Sequence, residues 1–291
     1  MRWVSVIAMA LAARGAELDD ALARAVHYLS AEVPAWKTAN GCFSCHNNGD
    51  AARALMVANA AGPLKDTLAW LRRPELWDKQ QLDAAFRDKN LARIQFSQAL
   101  TEAMETGLLR DQSALRRAAL ELVKLQAGDG SWPLDQEAAL GSPATYGTPL
   151  ATYASLRVLR ASGVHRVAAM RAEEYLKRLK AVAVIDQAAV ILALGDPGAK
   201  RGMALAALQT SDGGWGPYQG SPAEPFDTAI AVLALAPGAA RARGVKWLVD
   251  AQQSNGGWPP TTRPSGSYSY AQHISTSGWA TLALCKARAV K

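Results

Sequence analysis

No uninterrupted apolar run in this sequence reaches the ~18 residues expected of a membrane-spanning helix, which points to a soluble protein. There are three cysteines, so no even disulfide framework can organise the chain. Nor is there a block of one charge. The 32 Lys and Arg outnumber the 25 Asp and Glu by seven, but they stand singly along helical stretches without interleaved aromatics, which argues against nucleic acid as a partner. Strand-like alternation is scarce, leaving helices as the expected element. What is abundant is apolar content, 49% of 291 residues, enough for a substantial core in one large domain or two small ones.

One pattern recurs and favours a single domain. In residues 243–258 a basic residue and a glycine (Arg243, Gly244) precede an aromatic–leucine pair (Trp247, Leu248), then Gln252, then Gly256, Gly257 and Trp258. Arg117, Gln126, Gly130 and Trp132 repeat the spacing, and Gln209 leads into Gly213, Gly214 and Trp215. Tyr175 with Leu176 and Tyr28 with Leu29 keep only the front half. Such self-similarity marks units that bury their apolar faces by stacking on one another. In each unit glycine ends a helix and tryptophan lays a large apolar plate on the next unit, a structural role. Counting paired helical stretches gives six hairpins and about twelve helices.

These residues resemble the QW repeat of the squalene cyclase and prenyltransferase superfamily. The resemblance implies an all-α (α/α)6 barrel, with inner and outer helix layers, over residues 17–291. It also implies chemistry to look for. Glu224, Pro225, Phe226, Asp227, Thr228 and Ala229 are similar to the cyclase acid motif Asp-x-Asp-Asp-Thr-Ala, but Phe226 stands where the family's proton-donating Asp belongs. An aromatic ring cannot donate that proton, and Asp227 reads as a helix-start residue. The zinc-binding Asp-x-Cys pair of the prenyltransferases has no counterpart, because Ala229 occupies the cysteine position. Cys285 reads as a small buried residue.

Residues 1–16 read as a signal peptide: Arg2 near the start, an apolar stretch over residues 4–13, and Ala10-Leu11-Ala12 as a small-residue cleavage site. Periplasmic or secreted localisation follows. In the first mature helix Leu18, Leu22, Val26, Leu29 and Val33 share a face, and Pro34 is expected to stop it. The first hairpin loop then carries Cys42-Phe43-Ser44-Cys45-His46, with Phe43 in the tryptophan slot.

C-x-x-C-H is the signature of covalent haem attachment, two thiols forming thioethers and the next imidazole ligating iron. The leading expectation is therefore an exported haem c protein, for electron transfer or redox sensing, with an unidentified redox partner protein. Cys42 and Cys45 would hold the haem and His46 its iron, while Met56, His27 or His273, and less plausibly His165, would supply the second ligand. Three readings compete at the same residues: a Cys42–Cys45 disulfide or redox pair, a zinc site requiring a fourth ligand, and an incidental pair. Two other functions remain open, a terpenoid- or polyprenoid-binding or -modifying barrel and a repeat scaffold for protein partners.

Overall fold

The computed structural model describes residues 2–80, 89–134, 146–196, 198–260 and 269–289, with side chains from residue 15 onward. Among them are twelve α-helices and no strand. The outer layer consists of α1 (Arg2–Asn40), α3 (Lys65–Leu71), α5 (Gln112–Lys124), α7 (Arg166–Arg178), α9 (Lys200–Ala207) and α11 (Ala239–Asp250). The inner layer alternates with it: α2 (Ala52–Val57), α4 (Lys89–Glu105), α6 (Gly147–Ser162), α8 (Val184–Leu194), α10 (Pro225–Ala234) and α12 (Tyr270–Arg288). Each inner helix packs on the next, and α12 returns to α2 and the turn before it, so the inner ring closes. This is the expected (α/α)6 barrel.

The repeated residues explain the closure. Trp132, Trp215 and Trp258 are all buried, and each indole nitrogen donates to the carbonyl ten residues earlier, of Leu122, Leu205 and Leu248, at 2.7, 2.8 and 2.7 Å. Each tryptophan backbone N–H donates to a hydroxyl on the following inner helix: Thr152, Thr228 and Ser277. Each glutamine then bridges two outer helices. Gln126 Nε2 donates to the carbonyls of Gly130 and Ala168, and Gln209 Nε2 to those of Gly213 and Ala240. Gln252 makes the same pair of bonds to Gly256 and, across the seam, to Ala21 in α1, both at 2.9 Å. The last repeat thereby fastens to the first.

Two boundaries differ from expectation. The chain does not stop at Pro34: α1 continues to Asn40. A proline inside a helix removes one backbone bond, and the following turn is held by the Thr38 hydroxyl donating to Pro34 O and by Asn40 Nδ2 donating to Trp36 O. The first inner helix also has an irregular start. It is preceded by a π-helical segment, His46–Ala51, a wider turn found mostly as single insertions and frequently at functional sites. The proposed leader falls in the N-terminal part of α1, whose side chains lie outside the described residues.

Candidate functional site

The π turn stands where inner helices α4 and α12 come closest to the first unit, and two glycines permit this. A Cβ on Gly49 would meet Gln95 Cβ at 3.0 Å, and one on Gly278 would meet the backbone of Ala51 and Asp50 at 2.9–3.0 Å. With no side chain at either place, α4 delivers Gln95 and α12 delivers Ser275 onto Asp50. Gln95 Nε2 and Ser275 Oγ both donate to Asp50 Oδ2, each at 2.6 Å. Asp50, Gln95 and Ser275 are buried.

Because Ser275 spends its proton on Asp50, it accepts from His46, whose Nδ1 is 3.3 Å away. That assigns the imidazole proton to Nδ1 and leaves Nε2 as the acceptor facing Cys45 Sγ at 3.6 Å. His46 keeps some accessible surface, but burial of its ring pulls its pKa down to about 4, so it is neutral at physiological pH. Asp50 moves the opposite way. Loss of solvent raises its pKa, and this outweighs the nearby Arg53 charge and the bonds from Ser275 and Gln95, all of which favour the anion.

Arg53 fails to dominate because its charge is engaged elsewhere. Its Nη1 stands 3.9 Å from Asp50 Oδ1, its Nε donates to Glu102 at 3.4 Å, and its guanidinium lies 4.7 Å over the Trp279 ring. Asp50 Oδ1 is buried and faces this guanidinium at ion-pair distance, and the Trp279 indole adds a further influence that favours the anion. Around Trp279 stand Tyr146 and Phe226, each with ring centroids 6.0 Å away. Gln98 Nε2 reaches Tyr146 Oη at 3.4 Å, leaving its own buried Oε1 unbonded. An acid from the π turn, amides from α4, and aromatic rings from the head of α6, from α10 and from α12 thus meet inside the ring.

The other end of the ring is ionic. Glu102 is bridged by Arg53, by Arg157 at 3.0 Å and by Lys286 at 3.7 Å. Burial alone would raise the Glu102 pKa, yet these three cations together hold it below the usual carboxylate range. Lys286 lies in the last turn of α12, where a cation is favoured.

The residues singled out in the sequence scatter differently from a haem site. Cys42 is buried with its sulfur accepting from Trp36 Nε1 at 3.4 Å, while Cys45 Sγ lies against His46. No disulfide joins them. Phe43 stacks on Trp70 at 4.6 Å instead of capping a cofactor. Met56 is buried in α2, His27 is exposed on α1, His273 packs beside Tyr28 at 5.8 Å, and His165 precedes α7 in a left-handed conformation. Trp132 and Tyr146 are fully buried. Among the described residues no three His, Cys, Asp or Glu side chains gather as a metal site. With both His46 nitrogens engaged by Ser275 and Cys45, the residues present do not fit haem iron.

Phe226 is buried against Trp279, and Asp227 sits buried in the first turn of α10. The adjacent Thr228 serves the Trp215 anchor, as Thr152 and Ser277 serve theirs, so this part of the acid motif is repeat architecture.

Comparison with known proteins points the same way. A type II terpene cyclase variant, MstE from Scytonema, in complex with geranylgeranyl dihydroxybenzoate, superposes with a TM-score of 0.62 over 95% of this chain and 99% of its own, at 14% identity. Another MstE variant, in complex with the product merosterolic acid A, gives 0.61 over 96% and 99%. The chain therefore has the helical-barrel fold of the type II terpene cyclases. In sequence it is similar to the drimenyl diphosphate synthase of Streptomyces showdoensis, 43% identical over 67 residues, and to that of Streptantibioticus cattleyicolor, 28% identical over 182 residues. Those alignments cover 21% and 52% of this chain, and the chain spans 13% and 33% of these relatives' length. No family model matches.

These likenesses overturn the haem c expectation and, with it, electron transfer, redox sensing and a redox partner. The C-x-x-C-H pattern here is local packing at the head of the π turn. Among the described residues no helix is long and apolar enough to cross a membrane.

Gln95, Gln98 and Ser275 carry the interior network, and none of them belongs to a recognisable motif. A signal existed: Gln95, Gln98 and Glu102 recur at helical spacing within α4, placing polar groups on one face of a buried helix.

Proposed function

We propose that this barrel binds an isoprenoid chain and modifies it. The observation that carries the reading is the similarity along nearly the whole chain to a cyclase whose structures hold an isoprenoid substrate and its product. The sequence likeness to drimenyl diphosphate synthases supports it independently of the fold. The buried rings of Trp279, Tyr146 and Phe226, which gather inside the ring, supply apolar and aromatic surface of the kind such a ligand needs. Phe226 replaces the acid at the family position, so squalene is not cyclised through that residue, and Asp227 acts in the first turn of α10.

The test is equilibrium titration of the purified chain with farnesyl diphosphate and with geranylgeraniol, followed through the fluorescence of its nine tryptophans. Saturable binding of at least one supports the reading; a flat titration with both rejects it. Export through a leader cut near Ala12 belongs to the same proposal, supported by the apolar stretch at residues 4–13. Recovery of an intact Met1 from natively produced protein contradicts export alone.

A further inference from the structure

A cavity of about 170 Å³ opens on the outside of the first unit, between the C-terminal part of α1, the Phe43 loop and α3. It follows from the ways in which this unit departs from the repeat. Where three sister units bury a tryptophan beneath the loop, Phe43 stands half-buried on Trp70, and α1 runs on past Pro34. Pro34 and Pro63 wall the space with rings whose backbone φ is fixed. Gln80 clamps the Phe43 backbone: its Oε1 accepts from Phe43 N at 2.5 Å and its Nε2 donates to Phe43 O at 3.1 Å. The space is therefore preformed, and an apolar cavity of roughly 150 Å³ is enough to hold a benzene ring.

The charged groups lining it leave one positive charge unbalanced. Lys37 Nζ donates to Asp66 and lies 5.1 Å over the Phe43 ring, while Lys65 makes no ion pair among the described residues. Asp66 is held below the usual carboxylate range by the Lys37 hydrogen bond first, then by the Lys37 charge, with a further contribution from Lys65. Two ammonium groups thus face one carboxylate. Thr67 is 2% exposed and lines the same space. Its Oγ1 accepts from Asn48 Nδ2 at 2.9 Å, and among the described residues nothing accepts its own proton. A buried hydroxyl in that state lacks an acceptor. Thr38 differs, because its proton goes to Pro34 O.

We propose that this cavity binds a small aromatic carboxylate, its ring enclosed by Pro34, Pro63 and Phe43 and its carboxylate accepting from Thr67 beside Lys65. Three separate observations converge on that class. The volume admits one six-membered ring and little more. The uncompensated ammonium favours a single negative charge, and the Thr67 proton requires an acceptor oxygen; one carboxylate supplies both. A full isoprenoid chain exceeds this volume, so the site is distinct from the barrel interior and does not depend on the isoprenoid reading.

The experiment titrates the full isotope-labelled chain with benzoate and follows amide shifts by NMR, with phenol, benzylamine and acetate as probes that lack the charge, reverse it or lack the ring. The expected result is saturable shifts at Phe43, Lys65 and Thr67 with a dissociation constant of about 1 mM or lower, as suits so small a ligand, and binding at least about tenfold weaker for the other three probes. Lys65→Gln should weaken benzoate by about threefold and Thr67→Val by about tenfold. No saturation by benzoate overturns the proposal. Equal affinity for phenol, benzylamine or acetate overturns the ligand class, and benzoate binding unchanged in both variants overturns the location. Should Thr67→Val fail to fold, Lys65→Gln, at an exposed position, decides the location alone. Benzoate affinity should be unaltered by saturating farnesyl diphosphate, and displacement by it would overturn the separateness of the site.

Discussion

The units that carry Trp132, Trp215 and Trp258 and the unit that carries Cys42 to Asp50 occupy equivalent places in the same ring, yet they are built for different ends. In the three tryptophan units one indole, one glutamine and one hydroxyl make nearly superimposable bonds, with donor–acceptor distances agreeing within 0.1 Å at the indole nitrogen. In the first unit no tryptophan anchors the turn. Phe43 rests half-buried on Trp70, and the helix behind it is wound as a π turn around buried Asn47, Asn48 and Asp50. Repetition marks where a barrel needs strength, and departure from the repeat marks where it holds polar groups at a cost.

The contrast breaks most visibly at the anchors. Trp258→Ala removes a fully buried indole and its bond to Leu248 and should cost about 3–5 kcal/mol. Phe43→Ala, at a partly exposed ring, should cost about half of that. Urea unfolding of both variants measures the difference, and equal costs would erase the distinction between the two regions.

Acid should weaken the first unit selectively. The unfolded chain binds a proton at His46 near its ordinary 6.5, while the folded chain holds the ring neutral down to about 4. The unfolded state therefore takes up the proton first, so stability present above pH 6.5 falls as pH drops through that window, by up to about 3 kcal/mol. Denaturant midpoints of wild type and His46→Gln across the window test this; the variant should lose most of the slope.

Gly278→Ala places a methyl 2.9 Å from the Ala51 backbone, where no flexible side chain can give way. A cost of about 1–3 kcal/mol is expected. α12 should also move off the π turn, lengthening Ser275 to Asp50. Unfolding measures the first effect, and a crystal structure of the variant the second.

The smallest expected change in stability is at Asp50. Its folded pKa is raised, so its charged form is penalised in the barrel as pH rises above the unfolded value, and Asp50→Asn relieves that while its amide oxygen still accepts from Gln95 and Ser275. The variant should melt within about 1 kcal/mol of wild type or above it. A loss comparable to Trp258→Ala would make Asp50 an ordinary structural residue.

Much of the barrel was legible in the chain. The helix-loop-helix spacing marked the hairpins, most plainly in the three units where glycine stops and buried tryptophans recur and act locally. The site was less legible. Cys42, Cys45 and His46 suggested haem because five consecutive residues match a pattern, whereas their environment depends on Ser275, more than two hundred residues away, and on a close approach that only Gly49 and Gly278 allow. Pro34 misled for a related reason: the turn after it is held by side-chain bonds from Thr38 and Asn40 that overrule the proline's local preference. The π turn had no sequence mark beyond a polar cluster, Asn47 to Asp50, at the head of an alanine-rich helix.

Hydrogen–deuterium exchange of the native chain with and without saturating farnesyl diphosphate tests the isoprenoid-handling interior most directly. Protection is expected in the π turn and in inner helices α4 and α12, where Asp50, Gln95 and Ser275 meet, with the tryptophan-anchored outer helices unchanged. Exchange that is identical in both samples, or protection confined to the outer layer, would contradict an isoprenoid site inside the barrel.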